Sequence, residues 1–228
     1  MSSKILKIGH RGAKGHVTEN TLESIKKALS LKVDGVEIDV HRCASGELVA
    51  FHDFTVDRIT NGTGEISKQT LRSLKTLKTK GTYKIPTLAE VLIFIDNRCF
   101  LNIELKGQDT AKEAARIITF YVDKKGWDYH NILVSSFQED LLETVCKIND
   151  KIPLGVLTDN NLDKATAFAK RINAVAILPI YTMLTEEIVA TLKEDFKVFT
   201  FTVNNLNPLA RIKSYGVDGI ISDYPDRI

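Results

Sequence analysis

Gly35-Val36-Glu37-Ile38-Asp39-Val40 decides how the rest of the chain is read. Its β-branched pattern predicts a strand, and side chains two apart on a strand share a face. Glu37 and Asp39 therefore point one way while Val36, Ile38 and Val40 point the other. Two acids turned into a layer of helices would lose their hydration with nothing to offset it. The interior of a barrel, near its open end, is where such a strand fits.

Outward from this segment, short β-branched runs alternate with longer helical patterns, the rhythm of βα units on a parallel sheet. Principal strands are expected over 5–9, 35–40, 100–105, 132–136, 154–157, 174–178, 198–203 and 219–222. Helices are expected over 21–31, 88–97, 110–124, 139–148, 162–171, 186–193 and 206–214. Leu22, Ile25, Ala28 and Leu29 keep the spacing of one buried helical face. Asp109 reads as an N-cap and Gly216 as a helix stop. Eight strands in 228 residues suit an α/β chain folded as a compact (β/α)8 TIM barrel, one domain over 1–228. A doubly wound open sheet is the alternative, but no G-x-G-x-x-G follows a strand.

One stretch breaks the rhythm. An extra strand over 47–52 follows the turn Ala44-Ser45-Gly46, which is too short for a parallel crossover, so this strand must return antiparallel. It carries His52 back to the level of Asp39. A small insertion after the second strand, about 41–86, then shapes the mouth. Its 53–84 portion reads as mostly polar, with few large apolar residues.

The apolar fraction of 43% supports a sizeable core, and a net charge of +2 gives no basis for bulk nucleic-acid binding. Cys43, Cys99 and Cys146 are odd in number and widely spaced, which fits a reducing compartment. The opening residues Met1 to Lys7 hold no signal-peptide core, and no apolar run reaches membrane-spanning length. These features predict a cytoplasmic protein. They leave the oligomeric state open, a homodimer included.

Glu104 ends the 100–105 strand as Glu37 and Asp39 end theirs. Three carboxylates and no cysteine make a hard oxygen site for Mg²⁺ or Ca²⁺. The alternative is an ion-pair network closed by Lys106 and Arg11. His10 and His52 also end strands on this face, and histidine both gives and takes protons near neutrality. His16, His41 and His130 read as surface or supporting residues. Arg11 offers a fork for phosphate oxygens and Lys106 a compact charge, though Arg11 could instead neutralise Glu19 or Asp39. Thr21 reads as an ordinary cap, and Asn20 is close enough in sequence to reach the site.

His10-Arg11-Gly12, Glu19-Asn20-Thr21, Glu37-Ile38-Asp39-Val40, His52-Asp53, Pro86-Thr87-Leu88, Glu104-Leu105-Lys106 and the closing run from Gly216 to Pro225 appear in one order. Over nearly the whole chain, that order resembles the glycerophosphodiester phosphodiesterase family. The resemblance implies a TIM barrel with a divalent metal at Glu37, Asp39 and Glu104. It implies acid and base roles for His10 and His52, and phosphate contacts from Arg11 and Lys106. It also implies a small-molecule substrate, a glycerophosphodiester such as a deacylated phospholipid, cleaved to glycerol 3-phosphate and an alcohol. Thr18 stands where the family commonly has proline. Phe201 stands where it often has tryptophan, which puts an apolar platform for glycerol or alcohol at Phe201. His41-Arg42-Cys43 is an atypical approach to the turn. Competing readings are a lysophospholipase D-like or cyclic-phosphate-forming enzyme, and a catalytically silent anion-binding barrel.

Overall fold

A computed structural model describes residues 4–228; residues 1–3, at the head of the segment expected to lack a signal peptide, lie outside the described residues. Nine strands follow in chain order: β1 (Leu6–Gly9), β2 (Gly35–Arg42), β3 (Leu48–Ala50), β4 (Phe100–Leu105), β5 (Ile132–Ser136), β6 (Leu154–Thr158), β7 (Ala176–Pro179), β8 (Lys197–Thr200) and β9 (Gly219–Ser222). Eight α-helices accompany them: α1 (Leu22–Ser30), α2 (Leu71–Leu74), α3 (Leu88–Ile95), α4 (Thr110–Lys125), α5 (Glu139–Ile148), α6 (Leu162–Arg171), α7 (Glu186–Leu192) and α8 (Leu206–Ser214). The strands pair in the order β1-β9-β8-β7-β6-β5-β4-β2, and parallel pairing of β2 with β1 closes an eight-stranded barrel. β3 lies outside that closure, antiparallel to β2, with Val40 opposite Ala50 and Arg42 opposite Leu48.

The period-2 pattern of β2 is realised as expected. Val36, Ile38 and Val40 are fully buried in the layer between sheet and helices, with Ile25 and Ala28 of α1 and Leu88 and Leu92 of α3. Each large aliphatic side chain withdrawn from water this way stabilises the fold by roughly 1.5–3 kcal/mol. The barrel interior is apolar where Ile8, Leu133, Leu157, Leu178, Phe199 and Ile221 meet. Toward the C-terminal strand ends it turns polar, first at Asn102, whose Oδ1 accepts from the Ser135 hydroxyl at 2.9 Å. The acids lie beyond. Gly9 is required at the end of β1, because a Cβ there would stand 2.0 Å from the Gly12 carbonyl oxygen.

Local signals hold with three exceptions. Thr21 caps α1 by accepting from Ser24 N–H at 3.1 Å, and Gly216 adopts φ +72° after α8. Asp109 does not cap α4: its left-handed φ of 60° takes it out of the extended backbone a capping side chain needs. The Thr110 hydroxyl instead donates to the Gly107 carbonyl at 2.8 Å. β8 ends at Thr200 rather than 203, although Val203 N–H still donates to the Ile221 carbonyl of β9 at 3.0 Å.

The third exception is the insertion, which is not a polar excursion. Val49, Phe51, Val56, Ile59, Ile66, Leu74 and Ile85 form a buried core of their own. These residues follow neither a helical nor a strand period, so the segment reads as polar although it closes on an apolar centre. Truncating the fully buried Leu74 to alanine is expected to cost about 2–5 kcal/mol, a loss to be read from urea unfolding.

Candidate active site

Register brings the acids together. β2 and β4 pair with Asp39 opposite Glu104 and Glu37 opposite Asn102. Glu37, Asp39 and Glu104 each offer a carboxylate oxygen, all within 4.8 Å of one another, a group able to hold a metal ion. Arg11 N–H donates to Glu37 Oε2 at 2.8 Å, whereas Glu37 Oε1 is buried and makes no hydrogen bond with any described residue. Asn20 Nδ2 donates to Asp39 Oδ2 at 2.9 Å and Asn20 Oδ1 accepts from Asp39 N–H at 3.2 Å. Lys106 Nζ lies 3.1 Å from Glu104 Oε1 and 3.8 Å from Asp39 Oδ1. Burial, then the charges of Asp39 and Glu104, push Glu37 well above the usual carboxylate range. Burial and Asp39 raise Glu104 to about 7, against the pull of Lys106.

His10 follows β1 and His52 follows β3. Each has its Nδ1 on a carboxylate at 2.6 Å, His10 on Asp223 and His52 on Asp53. A carboxylate only accepts, so each Nδ1 carries the proton and each Nε2 is left with its lone pair. His10 Nε2 lies 3.9 Å from Glu37 Oε2 and accepts from Arg11 Nε at 3.2 Å. Burial lowers the pKa of both rings, against the raising effect of their carboxylate partners.

The loop from His10 to Thr21 carries Arg11, one of the site's cations. Arg11 adopts φ 50°, its Nη1 donates to Glu19 at 2.7 Å, and its Nε stands 3.2 Å from Asp39. Both uses suggested for Arg11 by sequence thus remain on one side chain, since Nη2 is left over. Asn20 differs from the substrate contact expected of it: both ends of its amide grip Asp39. Phe201 stands just beyond β8, edge-on to Phe137 with 5.9 Å between centroids. His41 shares a β2 face with Glu37 and Asp39, and its Nε2 donates to the His52 carbonyl at 3.0 Å, a supporting position. His16 pairs with Asp226 near the surface.

Several members of the site had no local signal. Asp223 pairs with His10 across 213 residues, and Asn204 holds Asp223 by donating to Oδ2 at 2.8 Å. Arg58 of the insertion reaches both Asp53 and Glu19. Phe137 and Phe54 are large apolar side chains that remain exposed. Asp53 was visible, adjacent to His52, but its function depends on a side-chain geometry that adjacency does not fix.

Glu19 is held at about 2: burial works against it, but hydrogen bonds and charge from Arg58 and Arg11 prevail. A carboxyl depressed from an unfolded value of about 4.3 adds stability that is complete above about pH 5 and is lost as pH falls through its folded pKa. The Tm gap between the parent and E19Q is expected to be widest above about pH 5 and to narrow toward pH 3 in thermal melts. A gap that widens in acid contradicts this account of Glu19.

Comparison with known proteins gives these features a common context. The model of the Glycerophosphoryl diester phosphodiesterase family matches residues 10–227. A glycerophosphodiester phosphodiesterase of Caldanaerobacter subterraneus subsp. tengcongensis is 34% identical, over 99% of this chain and 96% of its own. One from Bacillus altitudinis is 33% identical, over 96% and 94%. Among solved structures, an Oleispira antarctica phosphodiesterase in complex with the product sn-glycerol-3-phosphate matches with a TM-score of 0.88 at 30% identity, covering 97% of this chain and 94% of that one. The match begins at His10 and runs past Asp223, spanning every residue of the site, and the chain belongs to the glycerophosphoryl diester phosphodiesterase family and is an enzyme of that class.

Proposed function

We propose that this enzyme hydrolyses glycerophosphodiesters, as deacylated phospholipids, to sn-glycerol 3-phosphate and an alcohol. In this reading a divalent cation, Mg²⁺ or Ca²⁺, is held by Glu37, Asp39 and Glu104, and His10 and His52 carry the protons. The observation that carries the reading is the pair of matched dyads, His10–Asp223 and His52–Asp53, beside one carboxylate cluster.

The residues present fit a hard cation. The donors are carboxylates alone, and Glu37 Oε1 is a buried oxygen still lacking a partner. Held by Glu37, Asp39 and Glu104, such a cation would supply positive charge against the charge growing on the phosphoryl oxygens. Arg11 and Lys106 bind the remaining phosphate oxygens, Arg11 through Nη2 and Lys106 as a point charge. Asn20 keeps Asp39 oriented, and Phe201 with Phe137 forms an apolar wall for glycerol or alcohol. One histidine, neutral, takes the proton of the attacking hydroxyl at Nε2, and the other, entering with a second proton on its own Nε2, gives that proton to the departing alkoxide. If the glycerol 2-hydroxyl attacks first, a cyclic phosphate forms. Water then opens it with the two histidines exchanging roles, which returns each ring to its starting protonation state.

A lysophospholipase D-like reaction is the second reading, favoured by Phe54 and Phe137, which are 62% and 42% exposed. Against it, the large apolar residues of the insertion are buried in that segment's own core. We take 1–228 as one domain acting on a small molecule, with the free Cys43, Cys99 and Cys146 suited to the cytoplasm. No helix among the described residues is long and apolar enough to cross a membrane.

Metal-stripped protein is expected to release no glycerol 3-phosphate from glycerophosphocholine, and to recover with Mg²⁺, Ca²⁺ or Mn²⁺ added singly. Faster turnover of lysophosphatidylcholine in the same assay would favour the second reading. H10A and H52A are each expected to lower kcat by about 10²–10⁴-fold with little change in KM. Near-normal turnover by both variants would sink the two-histidine assignment. The metal should also raise the Tm of the parent while leaving that of E37Q unmoved in a melting series.

A further inference from the structure

We propose that Arg58 is a positioning residue for catalysis, fastening the His52–Asp53 dyad of the insertion to the barrel through Glu19. The inference rests on His52 being a proton carrier. Arg58 Nε donates to Asp53 Oδ2 at 2.5 Å and Nη2 to Asp53 Oδ1 at 3.1 Å, a two-point grip on the carboxylate behind His52. The same guanidinium grips Glu19, with Nη2 to Oε1 at 2.6 Å and Nη1 to Oε2 at 3.1 Å. Glu19 in turn accepts from Arg11 Nη1 at 2.7 Å. One planar cation therefore connects the residues behind both histidines: Asp53 behind His52, and the Arg11 that touches His10.

The surroundings argue for orientation rather than for packing. Arg58 has a side chain 46% exposed, yet Glu19 beneath it is 5% exposed. Val56 and Ile59 on either side are buried in the insertion's core, so the backbone that carries Arg58 is fixed. The geometry is directional as well as electrostatic. Two carboxylates held by one guanidinium are each fixed in plane, and the Asp53 plane sets the direction of the His52 Nδ1–H bond. A lysine keeps the charge but cannot present two forks at once. Without the tie, the Asp53 side chain is free to rotate, and His52 loses the orientation that points its Nε2 lone pair at the reacting oxygen.

R58A, R58K and R58Q, each with its metal restored, test this by steady-state kinetics on glycerophosphocholine beside D53N, H52A and the R58A/D53N double variant. R58A is expected to lower kcat roughly 10- to 100-fold, the scale of a misaligned catalytic group, with KM changed by less than about threefold. R58K should recover only part of the loss and R58Q less. In the D53N background, R58A should cost less than about twofold, because the group it orients is already impaired. Multiplicative losses of R58A and D53N, a loss confined to KM, or R58A turnover within about twofold of the parent would each overturn the proposal. Full recovery by R58K would reduce the contribution of Arg58 to charge and overturn the geometric argument. Should R58A fail to give a cooperative melt, R58Q and R58K carry the same comparison. H52A separates the two readings: normal turnover by H52A removes the proton-carrier assignment itself, whereas an inactive H52A with an unimpaired R58A removes only the contribution of Arg58.

Discussion

Mutual repulsion among Glu37, Asp39 and Glu104 is the constraint around which the upper barrel is arranged. These three carboxylates meet within 4.8 Å where Glu37 and Asp39 are nearly without solvent. Water does little to screen charges in such a place, and the neighbouring carboxylates raise the affinity of Glu37 and Glu104 for protons. The chain supplies two cations at the cluster, Arg11 and Lys106, and Arg11 is shared with Glu19. Full ionisation of all three would set three negative charges against less than two positive ones, a deficit of at least one unit that the raised Glu37 and Glu104 carboxyls reflect. A divalent ion in the proposed site would close that deficit and give Glu37 Oε1 a partner. The same imbalance makes the cluster a poor candidate for a purely structural ion-pair network, which would be expected to match its charges and satisfy every buried oxygen.

The rest of the fold confines this cost. The apolar layer of Ile8, Leu133, Leu157, Leu178, Phe199 and Ile221 fills the lower barrel, and large apolar side chains dominate the sheet–helix interface. Polar groups are thus restricted to the level of Asn102 and above, where strand ends meet loops and partners can reach them. The insertion follows the same logic. It needs its own buried core because β3 holds a ladder with β2 and a single bridge from Val49 to Thr87, and a three-residue edge strand does not by itself hold so long a loop in place. The apolar residues from Val49 to Ile85 make that loop rigid enough to present His52 and Asp53.

Much of this was legible from sequence wherever the relevant pattern was local. The β2 alternation placed two acids inside a barrel, and the short turn at Ala44-Ser45-Gly46 required the antiparallel return that brings back His52. Helix patterns located α5, α6 and α8 because one buried face repeats with a 3.6-residue period. What escaped was non-local or aperiodic. No spacing rule connects His10 to Asp223, which become neighbours only because β1 pairs with β9 when the barrel closes. Arg58 lies in a segment without regular structure, so its reach to Glu19 depends on how the insertion folds. The insertion core was missed for the same reason.

The two dyads have the same local chemistry on unlike supports, and this asymmetry bears on how the site must work. Asp223 sits at the end of β9, a barrel strand paired along β1, and Asn204 steadies it from the β8–α8 loop. Its position is as firm as the barrel's. Asp53 sits on a segment attached to the barrel by one short ladder, so its placement relative to His10 depends on whatever else joins insertion to barrel. Side-chain ties across that gap include His41 to the His52 carbonyl, Thr18 to the Lys80 carbonyl, Lys75 to Glu90, and the Arg58 bridge to Glu19. In the proposed reading, two proton carriers serving one phosphodiester must keep a fixed separation while protons leave one and reach the other. A barrel strand secures that distance on the His10 side by covalent register and sheet closure. On the His52 side, polar ties at the loop's edge have to supply it, and they are therefore the places where small changes in sequence would be felt in turnover before they are felt in stability.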